Sequence, residues 1–172
     1  MLSNLITLED INTLARPCTA DRDIADAFIA EAQRADIRSR IGDSVFLRLF
    51  ELDATPQEKT LLEGGSWQDC SGAPRYLVGL KTALAYYALA RITRDGNIQA
   101  TRYGAVVKDD DRSSEPAYTE RNRQYRELFS QADAYMAECL AYMQSNREAF
   151  PGTQCNEVPV SNRMRIRVIR KR

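Results

Sequence analysis

Leu77-Val-Gly-Leu-Lys-Thr-Ala-Leu-Ala-Tyr-Tyr-Ala-Leu-Ala-Arg91 is apolar on almost every side of a helical wheel. A helix of that kind is buried, because no face of it suits water. Leu77, Val78, Leu80, Leu84, Tyr87, Leu89 and Ile92 supply the large side chains, with alanines between them. Pro74 is expected to open this helix, and Arg91, Arg94 and Asp95-Gly96 to bring it to a polar end. A chain organised around such a helix needs other helices to enclose it.

Downstream, the pattern changes at Ile98. Tyr103, Val106 and Val107 are strand formers, and Gly104 marks a bulge or tight bend. Residues 98–108 are too short to build a sheet alone, so a partner strand is expected from a neighbouring subunit or from the chain's own tail. Asp109-Asp-Asp-Arg-Ser-Ser-Glu-Pro116 reads as a polar linker. The triplet of aspartates lacks the alternating spacing of a calcium loop, and a solvated acidic turn accounts for it.

A last helix is expected from about Ala117 to about Arg147. Tyr118, Tyr125, Ala132 and Cys139 recur every seven residues, and Asn122, Phe129, Met136 and Met143 repeat with an offset of four. That is an amphipathic stripe. At 1.5 Å per residue the helix is roughly 45 Å long, more than a small bundle covers. Tyr118, Tyr125, Phe129, Met136 and Met143 are the candidate helix interface.

Upstream, Thr7 can cap a short helix carrying Ile11 and Leu14, which Arg16-Pro17 ends. Thr19 is expected to cap the next helix, whose apolar residues are Ile24, Ala27, Phe28, Ala35 and Ile41. Gly42-Asp43-Ser44 interrupts before Val45, Phe46, Leu49 and Phe50. Thr55-Pro-Gln-Glu58 has the form of a capping box with proline at the first helical position. Gly64-Gly65 stops that helix, and Trp67 to Ala73 reads as a loop that Trp67 could pin to the core.

The C-terminal segment alternates. Met164, Ile166 and Val168 interleave with Arg163, Arg165 and Arg167, the period of a strand with one apolar and one basic face. Arg170, Lys171 and Arg172 follow. The 172 residues carry no net charge, yet the last ten hold six basic residues and no acid. The remaining 162 carry 18 basic and 24 acidic groups, so a body of −6 faces a tail of +6. Such a tail suits docking on a protein, neutralising phosphates, or simple solvation.

Apolar content is 44%, enough for a core. No apolar run approaches the ~20 residues that span a bilayer, so no membrane partner is expected. The N-terminus has neither the basic nor the long apolar region of a secretory signal. Four cysteines, Cys18, Cys70, Cys139 and Cys155, stand scattered without a C-x-x-C pair, which suits a reducing compartment and buried fillers. The chain has no histidine. Ser-His-Asp and Cys-His catalysis are thereby excluded, and histidine-containing zinc sites with them. Asp21, Asp23 and Asp26 sit at a helix start, where the dipole explains them. No Gly-rich loop with a lysine forms a phosphate cradle. No catalytic residue, cofactor or metal site is expected, and the chain reads as a protein other than an enzyme.

The expectation is a mostly α fold: a small helical bundle over residues 1–150, with one long C-terminal helix and a short extended segment at 98–108. An extended basic arm occupies 151–172. The order of elements resembles the head–tail connector (adaptor) proteins of tailed bacteriophages and prophages, in particular those of phages of Bacteroidetes hosts. The residues that carry the resemblance are Leu5-Ile-Thr-Leu-Glu-Asp-Ile11, Ile41-Gly-Asp-Ser-Val-Phe-Leu-Arg-Leu-Phe50, Leu77 to Arg91, Thr101-Arg-Tyr-Gly-Ala-Val-Val107 and Tyr125-Arg-Glu-Leu-Phe-Ser-Gln-Ala-Asp-Ala-Tyr-Met136. It spans roughly residues 5–145 and implies a virion subunit that forms a ring, usually of twelve copies. Such a ring sits below the portal at the head–tail junction and receives the tail or tail-completion proteins. DNA passes through its lumen without sequence-specific binding. Assembly would take place in the bacterial host cytoplasm. In that setting Tyr103, Gly104, Val106 and Val107 are the candidate inter-subunit strand. Arg163, Arg165, Ile166, Arg167, Val168, Arg170, Lys171 and Arg172 are the candidate portal-docking tail. The competing expectation is a helical nucleic-acid-binding or regulatory protein that uses the same tail.

Overall fold

The structure, a computed structural model, describes residues 3–51, 53–69, 71–96, 98–101, 104–107 and 118–151, with the two segments 98–101 and 104–107 given by backbone alone. The elements run α1 (Leu8–Leu14), α2 (Arg22–Ala32), a π-helical segment (Gln33–Arg38), α3 (Ser39–Ile41), α4 (Asp43–Arg48), α5 (Pro56–Glu63), β1 (Gly65–Gln68), β2 (Pro74–Leu77), α6 (Leu80–Asp95), β3 (Ile98–Thr101), β4 (Gly104–Val107) and α7 (Tyr118–Ser145). The fold is mostly α, with two small antiparallel hairpins among the described residues.

Two capping boxes start helices as their sequences dictate. At α1 the Asp10 N–H donates to the Thr7 hydroxyl while the Thr7 N–H donates to the Asp10 carboxylate at 2.7 Å. At α5 Thr55 and Glu58 exchange the same pair of bonds. Each box satisfies two backbone donors that a helix start otherwise leaves open. The cap of α2 differs from expectation: Asp21, rather than Thr19, stands at that position.

α6 is the centre. Leu80, Ala83, Leu84, Ala85, Tyr87, Ala88 and Ala90 are fully buried. It packs most extensively on α7 and next on α2, with α1 and α5 closing the remaining sides. Ile11, Ala25, Ile29, Ile37, Leu61, Met136, Cys139 and Met143 complete one continuous core. Burial pushes the Cys139 thiol up to about 12, so it is an apolar filler here rather than a nucleophile.

The inward face of α2 is Ala25, Ile29 and Ala32; Ile24 and Phe28 are half-buried, and Ala27 and Ala35 are exposed. The expected face was therefore turned by about one residue. The π-helical segment adds an extra residue to its turns and brings Gln33, Asp36 and Ile37 inward together. Gln33 then holds the N-terminal strand of chain: its Oε1 accepts from the Leu5 N–H at 2.8 Å, and its Nε2 donates to the Ser3 carbonyl.

Residues 65–77 correct the expected loop. They form a β1–β2 hairpin with Gly65 opposite Leu77 and Gln68 opposite Pro74. Pro74 therefore starts a strand, and α6 begins six residues later, at Leu80. The Asp69 carboxylate builds the turn by accepting from the Ser71 and Ala73 N–H groups. At the hairpin's root the end of α5 and the start of α6 touch backbone to backbone. Gly64 has φ +88° and Gly79 φ +100°, and a Cβ on Gly79 would lie 2.7 Å from the Glu63 carbonyl carbon and the Gly64 nitrogen. Replacing Gly79 by alanine should destabilise the fold by more than about 2 kcal/mol, read as a lowered urea midpoint. An unchanged midpoint would show that this crossing can open without penalty.

Candidate assembly surface

α7 has 28 residues and α6 has 16, about 42 Å against about 24 Å of helix. The excess lies at the N-terminal end of α7. Arg94, in the last turn of α6, sits 4.2 Å above the Tyr125 ring. Tyr125 therefore marks where α6 stops supporting α7, and Tyr118 stands two turns beyond it, 70% exposed. Tyr76 on β2 and Leu47 on α4 are the other large apolar side chains that face solvent among the described residues.

The expected interface stripe thus divides. Met136 and Met143 are fully buried against the bundle. They are core residues, contrary to their assignment to a helix interface, because the uniformly apolar α6 covers this half of α7. Phe129 and Tyr125 are half-buried. Their rings pack at 5.4 Å, and Phe129 meets Tyr87 edge to face at 5.0 Å. Tyr118 is the exposed aromatic of the stripe.

The extended segment after α6 also differs from expectation. Ile98–Thr101 pairs with Gly104–Val107 in an antiparallel hairpin, with Ile98 opposite Val107 and Thr101 opposite Gly104. Its partner lies within the segment, so no strand from elsewhere is required. Gly104, Val106 and Val107 lie on its second strand. Tyr103 falls outside the described residues, as do the linker from Lys108 to Ala117, Cys70, Cys155 and the whole arm from Gly152, with Arg163, Arg165, Ile166, Arg167, Val168, Arg170, Lys171 and Arg172.

Behind the surface lies a polar network that residue patterns did not reveal. Arg91, expected at a polar helix end, is only 7% exposed. Its Nη1 lies 2.7 Å from Asp36 Oδ2, and its Nε donates to Glu31 at 3.2 Å. One turn away, the Tyr87 hydroxyl donates to Asp133 at 2.6 Å, and Arg40 donates to the same hydroxyl and pairs with Asp133. Four helical segments are bound by these contacts: α2 with its π-helical continuation, α3, α6 and α7. Burial raises the Asp36 carboxyl above its ordinary value, and the adjoining Arg91 only partly offsets that. Burial alone would lower Arg91, yet Asp36 and Glu31 together hold it above its ordinary value. Burial and Asp133 push the Tyr87 phenol up, so it acts as a donor. A second internal pair joins Arg48 to the buried Glu58.

An open cleft of about 590 Å³ runs between the end of α1 and α7, lined by Arg16, Arg126, Glu127, Ser130 and Gln131 among others. It presents charge and amide groups. Among the described residues no group of three or more acidic or cysteine side chains could hold a metal, and no helix is long and apolar enough to cross a membrane.

The family model for a family of unknown function, DUF6712, matches residues 37–163. The chain belongs to DUF6712. No curated protein and no solved structure matches it. The DUF6712 match takes in both hairpins, α6 and α7, and begins one residue after Asp36. Arg40, Tyr87, Arg91 and Asp133 therefore fall within the matched span, while α1 and α2 lie before it.

Replacing Arg91 by methionine in this DUF6712 protein leaves Asp36 buried without its counter-charge, and stability should fall by about 3–5 kcal/mol. Adding Asp36→Leu should restore most of it. Asp36 has a raised folded value, so its contribution is present below its ordinary 3.8 and lost as pH rises through the raised value. The Arg91→Met defect should accordingly shrink as pH falls. Chemical denaturation of the single and double variants at two pH values measures this; equal losses in both variants would refute the pairing.

Proposed function

We propose that this protein is a structural virion subunit: a head–tail connector that forms an adaptor ring, binds the portal and extends the DNA channel toward the tail. The observation that carries the reading is the overhang of α7. A helix clamped into the core over its C-terminal half presents an exposed Tyr118 on a rigid end that runs past the last turn of α6. Aromatic side chains on such surfaces anchor protein interfaces. Heterologous contacts of one copy on the next close into a ring when the rotation between them is right. The resemblance of element order to phage connectors supplies the place of that ring, at the head–tail junction. The net −6 of residues 1–162 also suits a channel wall, since DNA slides past like charge without sticking. Portal docking falls to the basic arm, and the twelve-fold copy number comes from the resemblance.

The competing reading is nucleic-acid binding or regulation through the same arm, and the +6 charge of the last ten residues favours it. Native mass measurement of the protein, alone and mixed with portal, separates the two. A closed oligomer or a portal complex supports the connector. A strict monomer that ignores portal and binds DNA with a log–log salt slope near about −5 would overturn it, that slope being what six phosphate contacts produce. Tyr118→Asp should weaken subunit association by at least about tenfold while leaving the melting temperature unchanged.

A further inference from the structure

We propose that the basic C-terminal arm docks as a third strand on the open edge of β1 in its own chain, with residues 163–168 beside Ser66, Trp67 and Gln68. The ladder alternation exposes that edge. The Asp69 N–H donates to the Ala73 carbonyl across the turn, at 3.0 Å. In an antiparallel pair, bonded positions alternate with unbonded ones. Trp67 opposite Arg75 and Gly65 opposite Leu77 are then the bonded positions. Ser66 and Gln68 turn their N–H and C=O groups away from β2, and among the described residues no backbone partner is recorded for them. The opposite edge is a poorer acceptor, because Pro74 has no N–H to offer.

The two faces match. On β1, Trp67 points inward and packs edge to face on Tyr142 at 5.3 Å, while Ser66 and Gln68 are exposed. A strand laid beside β1 continues both rows. Met164, Ile166 and Val168 fall in the row of Trp67, and Arg163, Arg165 and Arg167 fall in the solvent row. Strand addition of this kind takes its affinity from main-chain bonds and its register from alternate side chains.

The route is short. Phe150, the last buried residue among those described, packs on Tyr142 at 6.0 Å, so the described chain ends one ring away from Trp67. The eleven residues 152–162 can span up to about 36 Å. That is ample for a return to the hairpin, and tethering places the arm at an effective concentration in the millimolar range, on the order of 1 mM. Charge agrees too, with +6 on the last ten residues and −6 on the rest. The docking covers an edge that would otherwise invite pairing with other chains. It needs no ring, so it stands or falls apart from the connector reading.

Amide hydrogen exchange on the full chain tests it, with Arg165→Pro and Ile166→Pro combined in one variant, so that a central arm N–H facing β1 is lost whichever way the arm runs, and with Gln68→Pro to remove one outward N–H of β1. In the unaltered protein the Ser66 and Gln68 amides should exchange at least about tenfold more slowly than Ser66 does in either variant, at unchanged helical content. Protection should be independent of protein concentration and should weaken with salt. Equal exchange of Ser66 in all three proteins would overturn the docking. Protection that appears only with a doubling of mass would overturn it as well, by assigning the edge to a second copy's arm.

Discussion

Everything in this fold follows from the need to enclose α6. A helix with apolar side chains on all sides has no stable solvent face, and burying each large one is worth roughly 1.5–3 kcal/mol. α7 covers one flank, α2 another, and α1 and α5 the rest. The tight root at Gly64 and Gly79 is part of the same enclosure. It lets α5 end and α6 begin in backbone contact, so no gap opens where the chain enters the core. The hairpin between them is thrown outward as a consequence, with Trp67 turned back onto Tyr142.

Apolar packing alone leaves helices free to slide and rotate, because many registers bury similar area. Here the buried charges choose one. Arg91 can meet both Asp36 and Glu31 only when α6 and the π-helical segment stand at one rotation, and the Tyr87 hydroxyl reaches Asp133 only at one height of α7. Buried ion pairs add little net stability against a hydrophobic alternative, but a wrong register would leave each charge stranded at a cost of several kcal/mol. The π-helical segment serves that geometry, since its extra residue presents Asp36 and Ile37 to the core side by side.

The parts of this fold legible in the sequence are those governed by local chemistry. Thr7 and Thr55 announce their helices because a capping box lies within four residues. The core helix from Leu80 and the buried half of α7 are visible because periodicity at 3.6 residues is a property of the chain itself. The β1–β2 hairpin was not legible: Gly65-Ser-Trp-Gln68 alternates too briefly to register, and its turn depends on one Asp69 carboxylate gathering three partners. Arg91 misleads for a different reason. An arginine at the end of an apolar run reads as exposed, and only the acids brought from 55 and 60 residues earlier in the chain make its burial tolerable. On the candidate surface, the stripe was visible but the point at which it divides was not, because the place where α7 runs past α6 is set by the length of α6 and the stacking of Arg94 on Tyr125.

That division bears on the proposed assembly. A heterologous contact closes a ring only if each copy fixes the angle of the next, and small angular errors accumulate around the circle into an open spiral. An aromatic on a mobile loop would bind but would not fix an angle. Tyr118 sits instead on a continuous helix whose remaining turns are held by Leu128, Ala132, Met136, Cys139 and Met143 in the core. Its approach is pinned at Tyr125 by Arg94, seven residues away. Little conformational freedom is left to lose on binding, which favours affinity, and the direction of the side chain is inherited from the bundle. The internal charge network therefore reaches the surface indirectly: by setting the rotation of α7 on α6, it sets the angle at which one subunit would present itself to another.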